Sequence, residues 1–573
     1  MKKQLRIGIY ILLATLLASV AVAQEPTTPA LRSGQKGVIT MTTSLKVGKE
    51  FNLTVKGSDI SIVGLEKKTD STYTITSQTI KIEGEVQSLK CSKNMLTSLT
   101  LERCSSLTEL ICRWNDEITS LDLSSCTALT KLELPSCLNL TSLDLSHNTA
   151  LTELKSDYLQ LSSLDLSHNK ALKVFRAEGV SMTKLDFSHN TALEVMVARE
   201  GSLKSLTLPK SKTLRVLDYA ETAVGHMDVS NYPALEELRC GYNNLTHLDV
   251  SNNRRLKILA CDGNKLTSLD LSNNPALEVL DCGENPLTSL NVSNLPALTS
   301  LDCWGAQLTS LDLSSNPALT ELSCDRNQLT SLDLSKQTAL ESVRCFENLL
   351  TKLELANCPN LTSLDCRNNL LTKLELPSCP NLTSIECYGN LIQANEMTNL
   401  VKALPDRNGK TKGWFNVFDS SSSDEKNVCY TYHVDIAKAK GWNVQAEMGM
   451  GIGTRDYRGK PTPTYEVTLS ANEEGGTILT AEAKDLKMVP YGTDLFIVDN
   501  PKEGYELTAL TANETDILAT KKVFITGHTI IKATFTKKPK TYKVTLKPTE
   551  HGTISIKEQE QVDLNAVPEG TKL

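Results

Sequence analysis

Aromatic and charged side chains recur at one register position: Trp304, Asp325, Phe346, Arg367 and Tyr388 follow one another in steps of 21 residues. Two residues before each of them stand Asp302, Ser323, Arg344, Asp365 and Glu386. A row mixing aromatics with Arg and Asp has the composition of a binding hot spot; the competing reading is chance variation at a solvent position. A second row is almost uniformly acidic: Asp122, Asp144, Asp165, Asp186, Asp228, Asp249, Asp270, Asp312 and Asp333, then Glu354 and Glu375. Stacked like charges repel by about 1 kcal/mol per pair even in water. Hydrogen bonds to the flanking Ser and Thr would relieve this, as would a bound cation, which needs several converging oxygens. His147, His168 and His189 form a third row. It could hold a metal or titrate, or be drift at a position otherwise filled by Asn or Ser. No metal and no cofactor is expected. H-E-x-x-H, G-x-S-x-G and a phosphate loop are all missing from the sequence. Cys429 near His433 reads as a cysteine buried under a helix, so an enzyme is not expected.

These rows exist because the chain repeats. Cys240, Cys261, Cys282, Cys303, Cys324, Cys345, Cys366 and Cys387 share one step of 21 residues, and Cys91 and Cys112 show it upstream. Each lies in the frame L-x-C-x-x-N, as in Leu280-Asp281-Cys282-Gly283-Glu284-Asn285. A second frame alternates with it, L-D-L-S-x-N, as in Leu269 to Asn274. Through Leu134, Ser156, Ala177, Ala198 and Tyr219 the cysteine is replaced. At the last four of these the asparagine three residues on is lost as well, to Leu159, Val180, Gly201 and Thr222. Such a period, built on L-x-x-L-x-L-x-x-N/C, is the leucine-rich-repeat signature. It predicts a mainly β solenoid, a rod of about 15 coils with parallel strands along T-x-L-x-C and shorter extended segments along L-D-L-S.

Strand alternation turns the residues flanking the cysteine outward. Trp304, Asp325, Phe346, Arg367, Tyr388, Arg344 and Asp302 are therefore expected to be exposed and to contact a ligand. The cysteine itself falls where a leucine is buried. Rungs of a parallel ladder lie about 4.8 Å apart, whereas a disulfide wants Cβ atoms about 3.8 Å apart. The sixteen cysteines are thus expected to be buried, reduced thiols. Cys104, Cys126, Cys358 and Cys379 share this expectation, in the slot that is Asn148, Asn169, Asn190, Asn253, Asn274 and Asn316 in other coils.

The ends differ from the repeats. Residues 1–23 read as a signal peptide: Lys2, Lys3 and Arg6, an apolar run, then Ala21-Val22-Ala23. No cysteine follows, which argues against a lipid anchor, and no later apolar run is long enough to span a bilayer. A linker over 24–37 leads to a β cap over 38–90, repeats over 91–390, and an α/β cap with linker over 391–460. Residues 461–540 should form a β-rich domain. It restarts over 541–573, where Tyr542-Lys543-Val544-Thr545-Leu546 echoes Tyr465-Glu466-Val467-Thr468-Leu469, and Val567-Pro568-Glu569-Gly570 echoes Val489-Pro490-Tyr491-Gly492. The second copy stops partway, so the sequence is expected to be a fragment.

The run L-T-S-L-D-L-S-N-N-P-A-L-E-V-L-D-C resembles the cysteine-ladder repeats of internalin J-like surface proteins and of similar Bacteroidetes proteins, over about residues 38–460. The tail resembles the divergent internalin B-type B-repeat, through Gly504-Tyr505-Glu506-Leu507 and Ile531 to Phe535. The resemblance implies surface-exposed adhesion or host-interaction proteins with β-repeats as stalk. The net charge of -7 becomes -7 - 3 = -10 once the signal is removed, which argues against nucleic acid and anionic membrane. The expected protein is a secreted or cell-surface adhesin, a monomer without membrane insertion. It would bind a protein or glycan on host or neighbouring bacterial cells. A structural spacer is the alternative and a secreted enzyme a distant third.

Overall fold

The computed structural model describes residues 36–355, 357–449, 453–481, 485–539, 541–542, 544–545 and 567–568. The expected signal peptide, nearly all of the 24–37 linker and most of the 541–573 repeat lie outside the described residues. The chain divides into two compact units, Met1–Leu172 and Lys173–Leu573.

The first unit opens with a β cap. Gly37–Thr43 lies antiparallel between Thr79–Lys90 and Leu96–Glu102. Alternate residues Ile39, Met41, Ile80 and Ile82 are fully buried, as a half-covered pleat requires. The sheet reaches past residue 90 because Leu99 and Leu101 continue the same alternation beyond a bulge that lets Leu96 be buried too. The far end of Thr79–Lys90 becomes the first rung, with Ser88, Leu89 and Lys90 paired in parallel to Glu109, Leu110 and Ile111. Glu109–Ile111, Lys131–Glu133 and Glu153–Lys155 continue the ladder.

In the second unit the parallel ladder runs from Val174–Glu178 to Ser384–Glu386, one strand per coil. Leu280 pairs with Leu301 in register, and Asp281 with Asp302. Most strands are three residues long, ending at the residue before the cysteine. Behind them the L-D-L segments pair as strands at Lys184–Asp186 with Ser205–Thr207 and at Ser331–Leu334 with Lys352–Leu355.

What stops each strand is a left-handed residue two positions after the cysteine. Tyr242, Glu284, Arg326, Glu347 and Asn368 have φ of 55°, 48°, 55°, 51° and 53°, and Gly263, Gly305 and Gly389 fill the same place at 63° or 64°. A non-glycine there costs about 1 kcal/mol. In return the chain turns inward and delivers the next residue, asparagine, beneath the strand ends. Asn264 Nδ2 donates to Cys240 O (3.0 Å) and Cys261 O (2.9 Å), while its Oδ1 accepts from the N–H of Asn243 (3.0 Å) and Leu245 (2.9 Å). One side chain thereby satisfies backbone groups of two coils that would otherwise be buried unpaired. Asn285, Asn327, Asn348, Asn369 and Asn390 repeat the pattern. In the first unit Cys137 takes this corner, and its Sγ donates to Cys112 O at 3.0 Å. The second corner differs: Asn253 Nδ2 donates to Val229 O and Tyr232 O, but its Oδ1 has no hydrogen-bond partner.

Helix α1 (Ala394–Ala403), strand Gly413–Asp419, helix α2 (Thr431–Ala439) and strand Trp442–Glu447 close the solenoid, the α/β order read from the sequence. Both strands extend the parallel ladder. Beyond them, Val467–Ala471 pairs in parallel with Thr529–Lys537, which pairs antiparallel with Tyr505–Ala512. A second sheet holds Gly476–Thr480, Asp494–Pro501 and Lys522–Phe524. Val467, Ile478, Leu495, Leu510, Ile531 and Phe535 form the core of this β-rich part. Tyr465 pairs with Val489 there, and Tyr542 with Val567 in the same way.

Candidate functional site

The row read as a binding surface lies along strands Ser300–Asp302, Glu321–Ser323, Ser342–Arg344, Ser363–Asp365 and Ser384–Glu386 and the residues after them. The ladder continues through each cysteine, as in Cys303 N–H to Ser323 O (2.8 Å) and Gly305 N–H to Asp325 O (2.9 Å). The residue after the cysteine is thus held as firmly as a strand residue.

Exposure differs from expectation. Phe346 and Tyr388 are only 4% and 7% exposed, and Asp302 and Asp325 6% and 1%. Trp304, Arg344 and Arg367 are half-buried. Alternation sets the direction of a side chain but not its cover, and coils stacked at ladder spacing let long side chains bury their neighbours. Here they interleave. The Arg367 guanidinium lies 4.1 Å from the Phe346 ring centroid and 5.8 Å from that of Tyr388. Arg326 sits 5.9 Å from Trp304 and 5.8 Å from Phe346, and Arg344 5.7 Å from Phe346. Cations over ring faces are attracted by the quadrupole, so this is a self-supported stack rather than a row of free aromatics.

The acids are tied into it. Arg367 pairs with Asp365 (2.8 Å) and Glu386 (2.6 Å). Ser323 Oγ donates to Asp325 Oδ1 at 2.8 Å, with Arg344 4.0 Å away. The Trp304 N–H donates to Asp302 Oδ1 at 3.1 Å. Burial pushes the carboxyls of Asp302 and Asp365 up to about 7. It also raises Asp281, where the adjacent Asp262 and Asp302 add to the effect. Asp281 and Arg326 did not stand out in the sequence. Arg326 belongs to the left-handed column, whose recurrent glycines were the available signal. The first unit carries a smaller cluster on its own strand face, with Glu133 held by Arg113, Lys131 (3.2 Å) and Lys155 (3.1 Å).

The acidic row of L-D-L-S is relieved locally. Asp122, Asp144, Asp165, Asp186, Asp228, Asp249, Asp270, Asp312 and Asp333 each accept the N–H of the serine two residues on, at 2.8 or 2.9 Å. His147 and His168, in the first unit, lie beside Ser146 and Ser167 hydroxyls; His189 belongs to the second unit. Among the described residues no three His, Cys, Asp or Glu converge as a metal site would require. Every ladder cysteine is fully buried, and all sixteen cysteines are free thiols. Cys429 is buried likewise, and His433 is engaged elsewhere: Nδ1 accepts the Tyr430 N–H at 2.9 Å, and Nε2 lies 3.0 Å from Thr398 Oγ1. The two do not form a nucleophile–base pair.

With this geometry in view, the architecture is that of a leucine-rich-repeat solenoid. Comparison with solved structures finds it similar in fold to the functional domain of InlJ from Listeria monocytogenes, which includes a cysteine ladder. That match has 22% identity, covers 81% of this chain and 94% of that one, and has a TM-score of 0.49. A leucine-rich-repeat protein of Leptospira interrogans matches at 24% identity over 52% of this chain and 89% of that one, TM-score 0.44. The internalin InlF of Listeria monocytogenes matches at 21% identity over 52% and 86%, TM-score 0.40. No family model and no curated protein matches the chain. Among the described residues no helix is long and apolar enough to cross a membrane.

Proposed function

We propose that the chain is a secreted or cell-surface adhesin that binds a protein or glycan on host or neighbouring bacterial cells, as a monomer, through the strand face from Trp304 to Tyr388. The observation that supports this best is the interleaved stack of Trp304, Arg326, Phe346, Arg367 and Tyr388. Side chains already fixed by their neighbours lose little entropy on binding, and aromatics with arginine are the residues that dominate interface energetics. The half-buried Trp304, Arg344, Arg367 and Glu386 are the members a partner touches. Phe346 and Tyr388 hold them from beneath. The signal peptide and the B-type repeats, serving as stalk, belong to the same proposal.

The test follows from that division. Replacing Phe346 or Tyr388 removes buried rings and conflates binding with stability, so the informative variant is Trp304→Ser with Arg344→Ser. The purified chain and this variant are applied to arrays of matrix proteins, bacterial surface proteins and glycans. Binding lost in the variant while its thermal unfolding is unchanged supports the adhesin reading. Binding that survives places recognition elsewhere. No binding by either favours a spacer.

A further inference from the structure

A second concentration of aromatic and polar side chains joins helices α1 and α2 to the β-rich part of the same unit. We infer that the solenoid's C-terminal cap carries an internal recognition site, a socket for the Val489-Pro490-Tyr491-Gly492 turn. This socket, rather than the covalent linker, fixes the joint between solenoid and β-rich domain.

Tyr491 occupies a turn between strands, where a tyrosine is ordinarily half exposed, yet it is 2% exposed. Its ring stands edge-on to Tyr430 (5.3 Å), Tyr432 (5.9 Å), His433 (5.6 Å) and Phe524 (6.1 Å). Its hydroxyl donates to Asn395 Oδ1 at 3.0 Å and lies 2.9 Å from Thr398 Oγ1, both on α1. Because His433 Nδ1 accepts the Tyr430 N–H, its Nε2 carries the hydrogen and donates to Thr398. The floor of the socket is therefore polar and its walls are rings, the match for a tyrosine's apolar body and polar tip. Gly492 completes the fit. At φ 86° a Cβ there would come within 2.5–2.7 Å of the Tyr432 ring.

The approach to the turn is gripped too. Lys460 N–H donates to Cys429 O, Thr431 N–H to Lys460 O and Tyr491 N–H to Pro463 O, at 2.9, 2.9 and 2.8 Å. The hydroxyls of Thr431 and Thr462 meet at 2.6 Å. The socket also discriminates. The matching turn later in the chain reads Val567-Pro568-Glu569-Gly570. A carboxylate offers Asn395 Oδ1 no donor, and a charge among aromatic walls is costly. Only the first of the two turns fits.

The test uses the full chain with Tyr491→Glu, which imitates the later turn, and Tyr491→Phe, which keeps the ring. Small-angle scattering and limited proteolysis across residues 448–463 read the joint. Release in Tyr491→Glu should broaden the distance distribution and speed linker cleavage at least tenfold, with Tyr491→Phe between it and the unaltered chain. Scattering and cleavage unchanged in Tyr491→Glu would overturn the inference. Should Tyr491→Glu unfold the β-rich domain itself, Asn395→Leu with Thr398→Val decides from the cap side. Release supports the socket, and behaviour like the unaltered chain refutes it. None of these readouts depends on the adhesin proposal.

Discussion

Asn264 and Asn253 occupy two different corners of the coil, and exchange for cysteine should be costly at the first and nearly neutral at the second. Asn264→Ala removes five hydrogen bonds, but the losses do not count equally, and Asp262 O still accepts from the Tyr242 N–H. Cys240 O still accepts from Asn243 Nδ2, and Cys261 O from Asn285 Nδ2. The orphans are the N–H groups of Asn243 and Leu245, in a corner where Asn264 is 6% exposed. At about 1–3 kcal/mol per unsatisfied buried donor, reduced by some water entry, the cost is about 3 kcal/mol. A thiol is a poor acceptor, so Asn264→Cys should cost nearly as much. Asn253 works only as a donor, its Oδ1 being unpartnered, and a thiol replaces that function. Cys358 does so naturally, its Sγ donating to Gln337 O at 3.3 Å. Asn253→Cys should therefore cost within about 1 kcal/mol of nothing, by the difference between one lost donation and one relieved oxygen. Urea unfolding followed by circular dichroism, compared at constant slope, measures all four variants. Equal costs for Asn264→Cys and Asn253→Cys, or the reverse order, would refute the donor–acceptor reasoning.

Two titrations of opposite sign should be separable in the second unit. Asp302 is raised by burial to about 7, so its contribution is intact below about pH 4 and is lost as pH climbs through 7. Asp302→Asn should then gain about 4 kcal/mol on the unaltered chain between pH 4 and pH 8, the full effect of moving a carboxyl from 3.8 to about 7; a constant difference in urea midpoint would contradict this. His433 is lowered by burial to about 4 from its ordinary 6.5. Its contribution is complete above 6.5 and lost as pH falls to 4, a window worth about 3 kcal/mol. His433→Gln should flatten the loss of stability between pH 6.5 and 4.5 in the same assay, and an undiminished slope would place the titration on another group.

The coil frame was legible because each column has one job that one residue type does best. Leucine and cysteine fill the interior, and asparagine offers an acceptor and two donors on a side chain short enough to lie beneath a turn. The caps were legible because their periodicity changes abruptly from the repeat. The strand face was legible in place but not in state. Alternation points Phe346 and Tyr388 outward, and nothing in one coil announces that Arg326 and Arg367 of neighbouring coils reach over Phe346, or Arg367 over Tyr388. Arg326 escaped for a backbone reason: its φ of 55° turns it onto a face that a continuous strand would deny it. Tyr491 escaped because its partners are far from it in sequence, Asn395, Thr398, Tyr430, Tyr432 and His433 upstream in and beside the cap helices and Phe524 downstream, and none of them carries a repeat signal.

The buried thiols have a use that the folded protein never sees. A sulfur with no exposure cannot meet a reagent until its own coil opens, so its rate of alkylation measures that opening. The sixteen cysteines run from Cys91, in the first rung, to Cys429, in the C-terminal cap, with none between Cys137 and Cys240. The chain thus comes with a built-in array of clocks, one per coil where the ladder is intact, and their order of reaction would trace the path along which the solenoid comes apart.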